Sequence, residues 1–130
     1  MKKIIFPLVV LFLLSVLAVS SQEKKDKKEK PKETTIIGEV IDVKCYLTGM
    51  MGGKGDEHKQ CAIDCIKGGL PVGILEDKTD SVYTIVPKGG MKSAGEELTS
   101  FIAQKIKLTG TVVRKGGERL FIYTKVEEAK

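Results

Sequence analysis

The chain has 130 residues and a net charge of +5, with three cysteines, one histidine and no tryptophan. Most of the excess positive charge lies in the first 33 residues, because residues 34–130 contain 14 Lys or Arg against 13 Asp or Glu. General nucleic-acid binding needs a basic footprint on the folded part, so we expect none. The roughly 97 remaining residues suffice for one domain with one core.

The N-terminus has the parts of a secretory signal peptide. Lys2 and Lys3 precede an apolar run from Ile4 to Val19, and small residues follow it. The run is shorter than the roughly 20 residues of a membrane-spanning helix. We therefore predict a signal peptide over residues 1–21, which is removed on export to the periplasm or the cell exterior.

A charged segment follows the predicted signal peptide. Its central part, EKKDKKEKPKE, contains no apolar side chain. Such a segment cannot bury enough surface to offset its chain entropy, so we predict a disordered tether over residues 22–34. Weak contact of its lysines with an anionic membrane remains open, as does an unidentified periplasmic protein partner.

The alternation of apolar residues predicts a mainly β domain over residues 35–130. TTIIGEVIDVKCYL is rich in β-branched residues and predicts a long first strand. LPVGILED and DSVYTIVPK predict two short strands, and KIKLTGTVVRKGGERLFIYTKVEE predicts a hairpin that turns at KGGE. Gly38 and Gly110 lie where strongly curved strands tend to need glycine.

Two helices are predicted between these strands. Ser93 and Glu96 form a capping-box pattern, which predicts a helix over residues 94–104 between the third and fourth strands. DEHKQCAIDCIKGG predicts a short helix between the first two strands, with Asp56 as N-cap and the glycine pair as stop. This order is typical of a five-stranded OB-fold-like barrel with one helix between strands 3 and 4.

The inserted helix carries most of the residues that suit a metal. At 100° per residue, His58, Cys61 and Cys65 fall within an arc of about 60°. Ala62 and the two isoleucines of the helix form an adjacent apolar stripe that can dock on the barrel. Cys45, at the predicted end of the first strand, precedes a glycine-rich loop that lets the helix fold back beside it.

Together, these four residues predict a metal site of composition Cys3His. Such a set suits tetrahedral Zn²⁺, which we favour for a structural role, and soft thiolates equally suit Cu⁺. Met50 and Met51 are candidate additional copper ligands, or else a packing pair in the loop. With all four residues on one ion the site is closed, so we expect a non-enzymatic metal-binding module. Asp64 and Glu57 point off the ligand arc and offer no general base.

Two alternatives remain open from the residues alone. In an oxidising compartment neighbouring cysteines usually form disulfides, so a thiol-redox or disulfide-stabilised protein without metal is the second prediction. The third is an OB-type ligand-binding module. Its candidate stacking residues are Tyr46, Tyr83, Phe121 and Tyr123, several of which alternation assigns to the core.

Three stretches resemble a group of small exported bacterial proteins with OB-like barrels. GEVIDVKCYL, HKQCAIDCIKGGLPVGIL and KLTGTVVRKGGERLFI match the D.KCYL strand end, the H..CA..C...G.PVG passage and the closing G.V....G...L hairpin typical of that group. The resemblance spans residues 35–126 and implies the barrel fold and export. On its motif, Cys45, His58, Cys61 and Cys65 are the positions that would carry a site. It implies no substrate.

Overall fold

A computed structural model describes residues 32–129 of the chain. The predicted signal peptide and most of the predicted tether lie outside these residues. Within them, strand pairing begins at Glu33, two residues before the predicted domain boundary. None of the helices in the described part has both the length and the apolar composition needed to cross a membrane.

Five strands form the sheet: β1 (Glu33–Asp42), β2 (Val72–Glu76), β3 (Val82–Pro87), β4 (Lys105–Lys115) and β5 (Glu118–Glu128). They close into a barrel in the order β1-β2-β3-β5-β4, with β4 paired back to β1. All neighbouring pairs are antiparallel except β3 and β5, which run parallel. The predicted mainly β, OB-fold-like barrel is confirmed.

Three short helices connect the strands: α1 (Val43–Thr48), α2 (Lys59–Lys67) and α3 (Ala94–Leu98). Single 3₁₀ turns lie at Met50–Gly52, Asp56–His58 and Thr99–Phe101. Helix α2 is the predicted cysteine-bearing helix between the first two strands, and α3 is the predicted helix between β3 and β4. Both predicted positions are therefore confirmed. The predicted N-cap at Asp56 is wrong, because α2 begins at Lys59 and Asp56 lies in the preceding 3₁₀ turn, which has no side-chain cap.

The predicted first strand is too long at its C-terminal end. Strand β1 stops at Asp42, and the following residues, including Cys45, form helix α1. The Asp42 carboxylate accepts a hydrogen bond from the Cys45 backbone N–H at 2.9 Å, and Gly49 ends the helix in the left-handed conformation. These two caps satisfy backbone groups at the ends of the helix. The β-branched composition of the segment alone does not predict a helix here.

The predicted helix over residues 94–104 is also too long. Ser93 caps α3 as predicted, since its Oγ accepts a hydrogen bond from the Gly95 N–H at 3.1 Å. Regular helix ends at Leu98, and after one 3₁₀ turn Ile102 is extended and pairs with Val40 of β1. Ile102 is 1% exposed, so the chain leaves the helix early to place this side chain in the core.

The core fills the barrel and continues beneath α2 and α3. Its members are apolar side chains from every strand and from both helices: Ile36, Val40, Ala62, Ile66, Val72, Ile74, Tyr83, Ile85, Ala94, Leu98, Ile102, Ile106, Leu108, Phe121 and Tyr123. A Cβ on Gly38 would overlap the carbonyl of Leu75, and one on Gly110 would overlap the carbonyl of Ile122. The barrel strands thus approach each other closely at both predicted glycines.

Candidate metal centre

Helix α1 places Cys45 beneath the surface at the end of strand β1. The Cys45 side chain is 0% exposed. Its backbone is held from both sides, because the N–H donates to Asp42 and the C=O accepts from the Gly49 N–H. Gly53 packs against the same turn, so close that a Cβ there would lie 2.6 Å from the Cα of Tyr46. The position of the Cys45 thiol is therefore fixed by backbone contacts.

Helix α2 brings Cys61 and Cys65 to Cys45. Its predicted apolar stripe is confirmed, because Ala62 and Ile66 are 2% and 5% exposed and belong to the core. Ile66 also packs on α3, since a Cβ on Gly95 would meet its Cγ2 at 2.7 Å. The helix stops at the predicted glycine pair, where the backbone N–H groups of Gly68 and Gly69 donate hydrogen bonds to carbonyl groups of the last helical turn. These contacts leave the two cysteines on the edge that faces α1.

The three thiols form a compact group, called here the thiol triad of Cys45, Cys61 and Cys65. All three sulfur atoms lie within 4.8 Å of one another. The Sγ atoms of Cys45 and Cys65 are 3.9 Å apart. Zn–S bonds of about 2.3 Å at tetrahedral angles give sulfur–sulfur separations of about 3.8 Å. The triad thus already approaches the geometry that three thiolates adopt around one ion.

The environment of the triad favours the protonated form of two of its thiols, those of Cys45 and Cys65, in the metal-free protein. Burial raises the pKa of the Cys65 thiol to about 12, and the adjacent Cys45 thiol and Asp42 carboxylate act in the same direction. Burial also raises the pKa of Cys45; the Cys65 thiol opposes this effect and the charge of Asp42 adds to it. Reactive cysteines instead have a lowered thiol pKa. The triad therefore has the electrostatics of a ligand set that a cation must deprotonate.

His58, the fourth predicted ligand, lies apart from the sulfur atoms. It belongs to a 3₁₀ turn and is 1% exposed, within a cleft lined by Ile41, Ala62 and Ile102 among others. Among residues 32–129, the ligand atoms grouped at the triad are those of the three cysteines. Neither ring nitrogen has a hydrogen-bond partner in this part of the chain. Its role as a ligand stays a prediction.

The two methionines predicted as additional copper ligands lie at the surface. Met50 is 46% exposed and Met51 is 66% exposed. Both belong to the 3₁₀ turn that follows α1, and Met51 has a φ of 49°. Both methionines are therefore exposed to solvent. Copper ligation by them also stays a prediction.

Asp42 is the residue at this site that the sequence analysis missed. Its side chain is 0% exposed and accepts a hydrogen bond from the backbone N–H of Cys45. The missed signal is the spacing D-x-x-C, which places a carboxylate at the N-cap of a turn whose third residue is a cysteine. Interpreted as a strand residue, Asp42 had no reason to be near the sulfur atoms.

Comparison of the chain with protein-family models, with curated proteins and with solved structures finds no match. The candidate centre therefore rests on the geometry and chemistry of its own residues. Three cysteines that could hold one metal ion are what the structure brings together.

Proposed function

We propose that this protein is an exported, non-enzymatic metal-binding domain in which the thiol triad holds one thiophilic ion, Zn²⁺ or Cu⁺. The observation that carries the proposal is the convergence of all three cysteines of the chain to within 4.8 Å, from two separate helices. Two thiols are needed for a disulfide, whereas three convergent thiols suit a metal ion.

The limited attachment of the connection between β1 and β2 to the core also favours a bound ion. The connection between β1 and β2 spans residues 43–71 and is attached to the core mainly through Ala62 and Ile66. A structural zinc site contributes about 10–16 kcal/mol to folding in zinc-finger peptides at neutral pH. An ion held by Cys45 of α1 and the two cysteines of α2 would join both ends of this connection.

Export is supported by the sequence of the first 21 residues and by the resemblance of the folded part to small exported proteins. A signal peptide would deliver the domain to a compartment in which free thiols oxidise readily. Bound metal would protect the triad there, because metal-bound thiolates are not free to pair. Mass determination of the protein recovered from outside the cytoplasm tests the predicted cleavage near residue 21.

The first test of metal binding is native mass spectrometry of the mature protein, purified without reductant or chelator. The expected result is a mass excess equal to one zinc or copper ion, which is lost in Cys61→Ser. The double variant Met50→Leu, Met51→Leu is the control, because it keeps the triad and removes only the two exposed thioethers. A mass deficit of about two units with no metal, as one disulfide gives, would contradict the proposal.

The second candidate function is thiol redox chemistry, and the 3.9 Å separation of the Cys45 and Cys65 sulfur atoms favours it. A disulfide between them needs an S–S distance of about 2.05 Å, so a modest approach of α2 to α1 would allow it to form by exchange with oxidised glutathione, which takes up the two electrons and two protons as two molecules of reduced glutathione. Against this candidate, the raised pKa of both thiols disfavours the thiolate that attacks a disulfide. Exchange with glutathione in the metal-free protein measures this activity directly.

The OB-type ligand-binding alternative has little support at the aromatic positions. Tyr83, Phe121 and Tyr123 are all 5% exposed or less, so their rings are not available as stacking platforms. Tyr46 lies on α1 and not on a strand. The aromatic residues of the barrel thus stabilise the core, which leaves the triad as the best candidate site.

A further inference from the structure

Asp42 is a buried carboxylate without a cationic partner. Buried acidic groups are almost always paired or bound to a metal, because an isolated charge is costly to remove from water. Asp42 is 0% exposed. Within residues 32–129, the ion pairs at 4.0 Å or less involve other carboxylates. A cation bound beside Asp42 would offset this cost.

The two carboxylate oxygens of Asp42 are used differently. Oδ1 accepts the hydrogen bond from the Cys45 N–H and caps α1. Oδ2 is buried and has no hydrogen-bond partner among the residues that the structure describes. One oxygen therefore fixes the orientation of the side chain, and the other is left with its lone pairs unused.

The Asp42 side chain is attached directly to one residue of the thiol triad, Cys45. Its carboxylate is held 2.9 Å from the Cys45 backbone nitrogen. Its oxygen atoms lie outside the group of ligand atoms that are all within 4.8 Å of one another, so a bound ion would have to draw the carboxylate and the sulfur atoms closer together. His58 is equally buried and also unpartnered, but its ring lines the cleft beside Ala62. Of the two buried polar side chains near α2, Asp42 is the one that is hydrogen-bonded to a residue of the triad, through the Cys45 backbone N–H.

We propose that Asp42 supplies the fourth ligand of the site through Oδ2, giving a Cys3Asp set that selects Zn²⁺ over Cu⁺. This inference rests on the proposed metal-binding function and names its ion. Carboxylate oxygen is a regular zinc ligand at about 2.0–2.2 Å, whereas Cu⁺ is selected by soft sulfur ligands. Charge acts in the same direction, because four anionic ligands leave a smaller net charge around Zn²⁺ than around Cu⁺.

X-ray absorption at the zinc edge of the loaded wild-type protein tests the ligand set directly. The expected spectrum has three sulfur neighbours at about 2.3 Å and one oxygen at about 2.0–2.2 Å, without the outer-shell scattering of an imidazole ring. Imidazole scattering that disappears in His58→Gln would overturn the inference in favour of a Cys3His site. A wild-type protein that takes up no metal at all would instead overturn the proposed function itself.

Asp42→Asn separates ligation from capping. Asparagine is as good an N-cap as aspartate, so its Oδ1 can keep the hydrogen bond from the Cys45 N–H while the anionic ligand is lost. We expect its Zn²⁺ affinity to fall by more than about 100-fold, beyond the usual effect of an outer-sphere partner, with Cu⁺ affinity retained. His58→Gln is the matched control and should keep both affinities.

Parallel losses of Zn²⁺ and Cu⁺ affinity in Asp42→Asn, with an unchanged absorption spectrum, would show that Asp42 only positions Cys45 and would overturn the inference. Circular dichroism of the metal-free variant checks that the barrel is retained. If Asp42→Asn does not fold, the wild-type and His58→Gln spectra still decide between oxygen and imidazole.

Discussion

Replacing Gly53 by alanine is expected to disturb the thiol triad, although residue 53 offers no ligand atom. A Cβ at this position would lie 2.6 Å from the Cα of Tyr46 and 2.9 Å from the carbonyl oxygen of Cys45. Ordinary Cβ contacts begin at 3.4 Å, so the loop and α1 must separate by about 0.8 Å. Metal–ligand distances are expected within about 0.2 Å of their usual values, so a shift of this size at Cys45 should weaken zinc binding.

The cost in stability has two parts. Gly53 has a φ of +69°, and a side chain in the left-handed region costs about 1–2 kcal/mol. Overlap with backbone atoms, which cannot rotate away, adds about 1–3 kcal/mol. The free energy of unfolding should therefore fall by about 2–5 kcal/mol. Gly52→Ala is a matched control, because Gly52 has a φ of +80° and nothing lies within 4 Å of the added Cβ.

Urea unfolding of the two reduced, metal-free variants measures the stability loss, and zinc titration measures the effect on the site. Gly52→Ala should lose only the conformational part, about 1–2 kcal/mol, and keep its zinc affinity. Gly53→Ala should lose more stability and bind zinc more weakly. Equal stability losses in the two variants, or full zinc affinity in Gly53→Ala, would refute the reasoning that this close approach holds Cys45 in place.

Two further predictions concern the barrel and its helix. Ser93→Ala removes the hydrogen bond from the Gly95 N–H and should lower the free energy of unfolding by about 1 kcal/mol, whereas Ser93→Asn, measured in the same urea titration, should cost less. Hydrogen bonds from Lys125 and Lys107 lower the pKa of Glu127, so its stabilising effect is present above the unfolded-state pKa and is lost as the pH falls through the folded-state pKa. Glu127→Gln should therefore be less stable than the wild type at neutral pH and equal to it in strong acid; a gap that persists in acid would contradict this assignment.

The strand order was predictable because each barrel strand has a short, regular signature. Alternation in residues 105–128, interrupted only by KGGE, predicts the β4–β5 hairpin, which turns at Gly116 and Gly117. The two short strands before α3 are bounded by polar turns in the same way. Where local pattern and long-range pairing agree, the sequence predicts the element correctly.

The helix ends were predicted less well, because caps decide one case and a tertiary contact decides the other. VKCYLT has a β-branched and aromatic composition, yet it is helical because Asp42 and Gly49 cap it. Residues 102–104 follow a helical pattern, yet the chain is extended at Ile102 because that side chain enters the core beside Val40. The caps of α1 are local signals that the sequence analysis missed, whereas the contact of Ile102 with Val40 is not visible in the local sequence.

The thiol triad was predictable from clustering, and its surroundings were not. The helical-wheel argument holds for Cys61 and Cys65, which lie on the regular helix α2. It does not extend to His58, which belongs to a 3₁₀ turn, where successive side chains are separated by about 120° and not by 100°. A helical wheel therefore does not predict the direction of the imidazole ring, and only the structure shows that the ring is buried beside the core.

The triad lies where a bound ion would order the connection between β1 and β2, residues 43–71, and leave the barrel unchanged. Cys45 follows strand β1 directly, whereas Cys61 and Cys65 lie on α2, beyond the glycine-rich loop. An ion bound by all three would close that loop, as a crosslink does, and would restrict the unfolded chain. Most side chains of the barrel core come from the five strands and therefore lie outside residues 43–71. Metal loading should thus order residues 43–71 selectively.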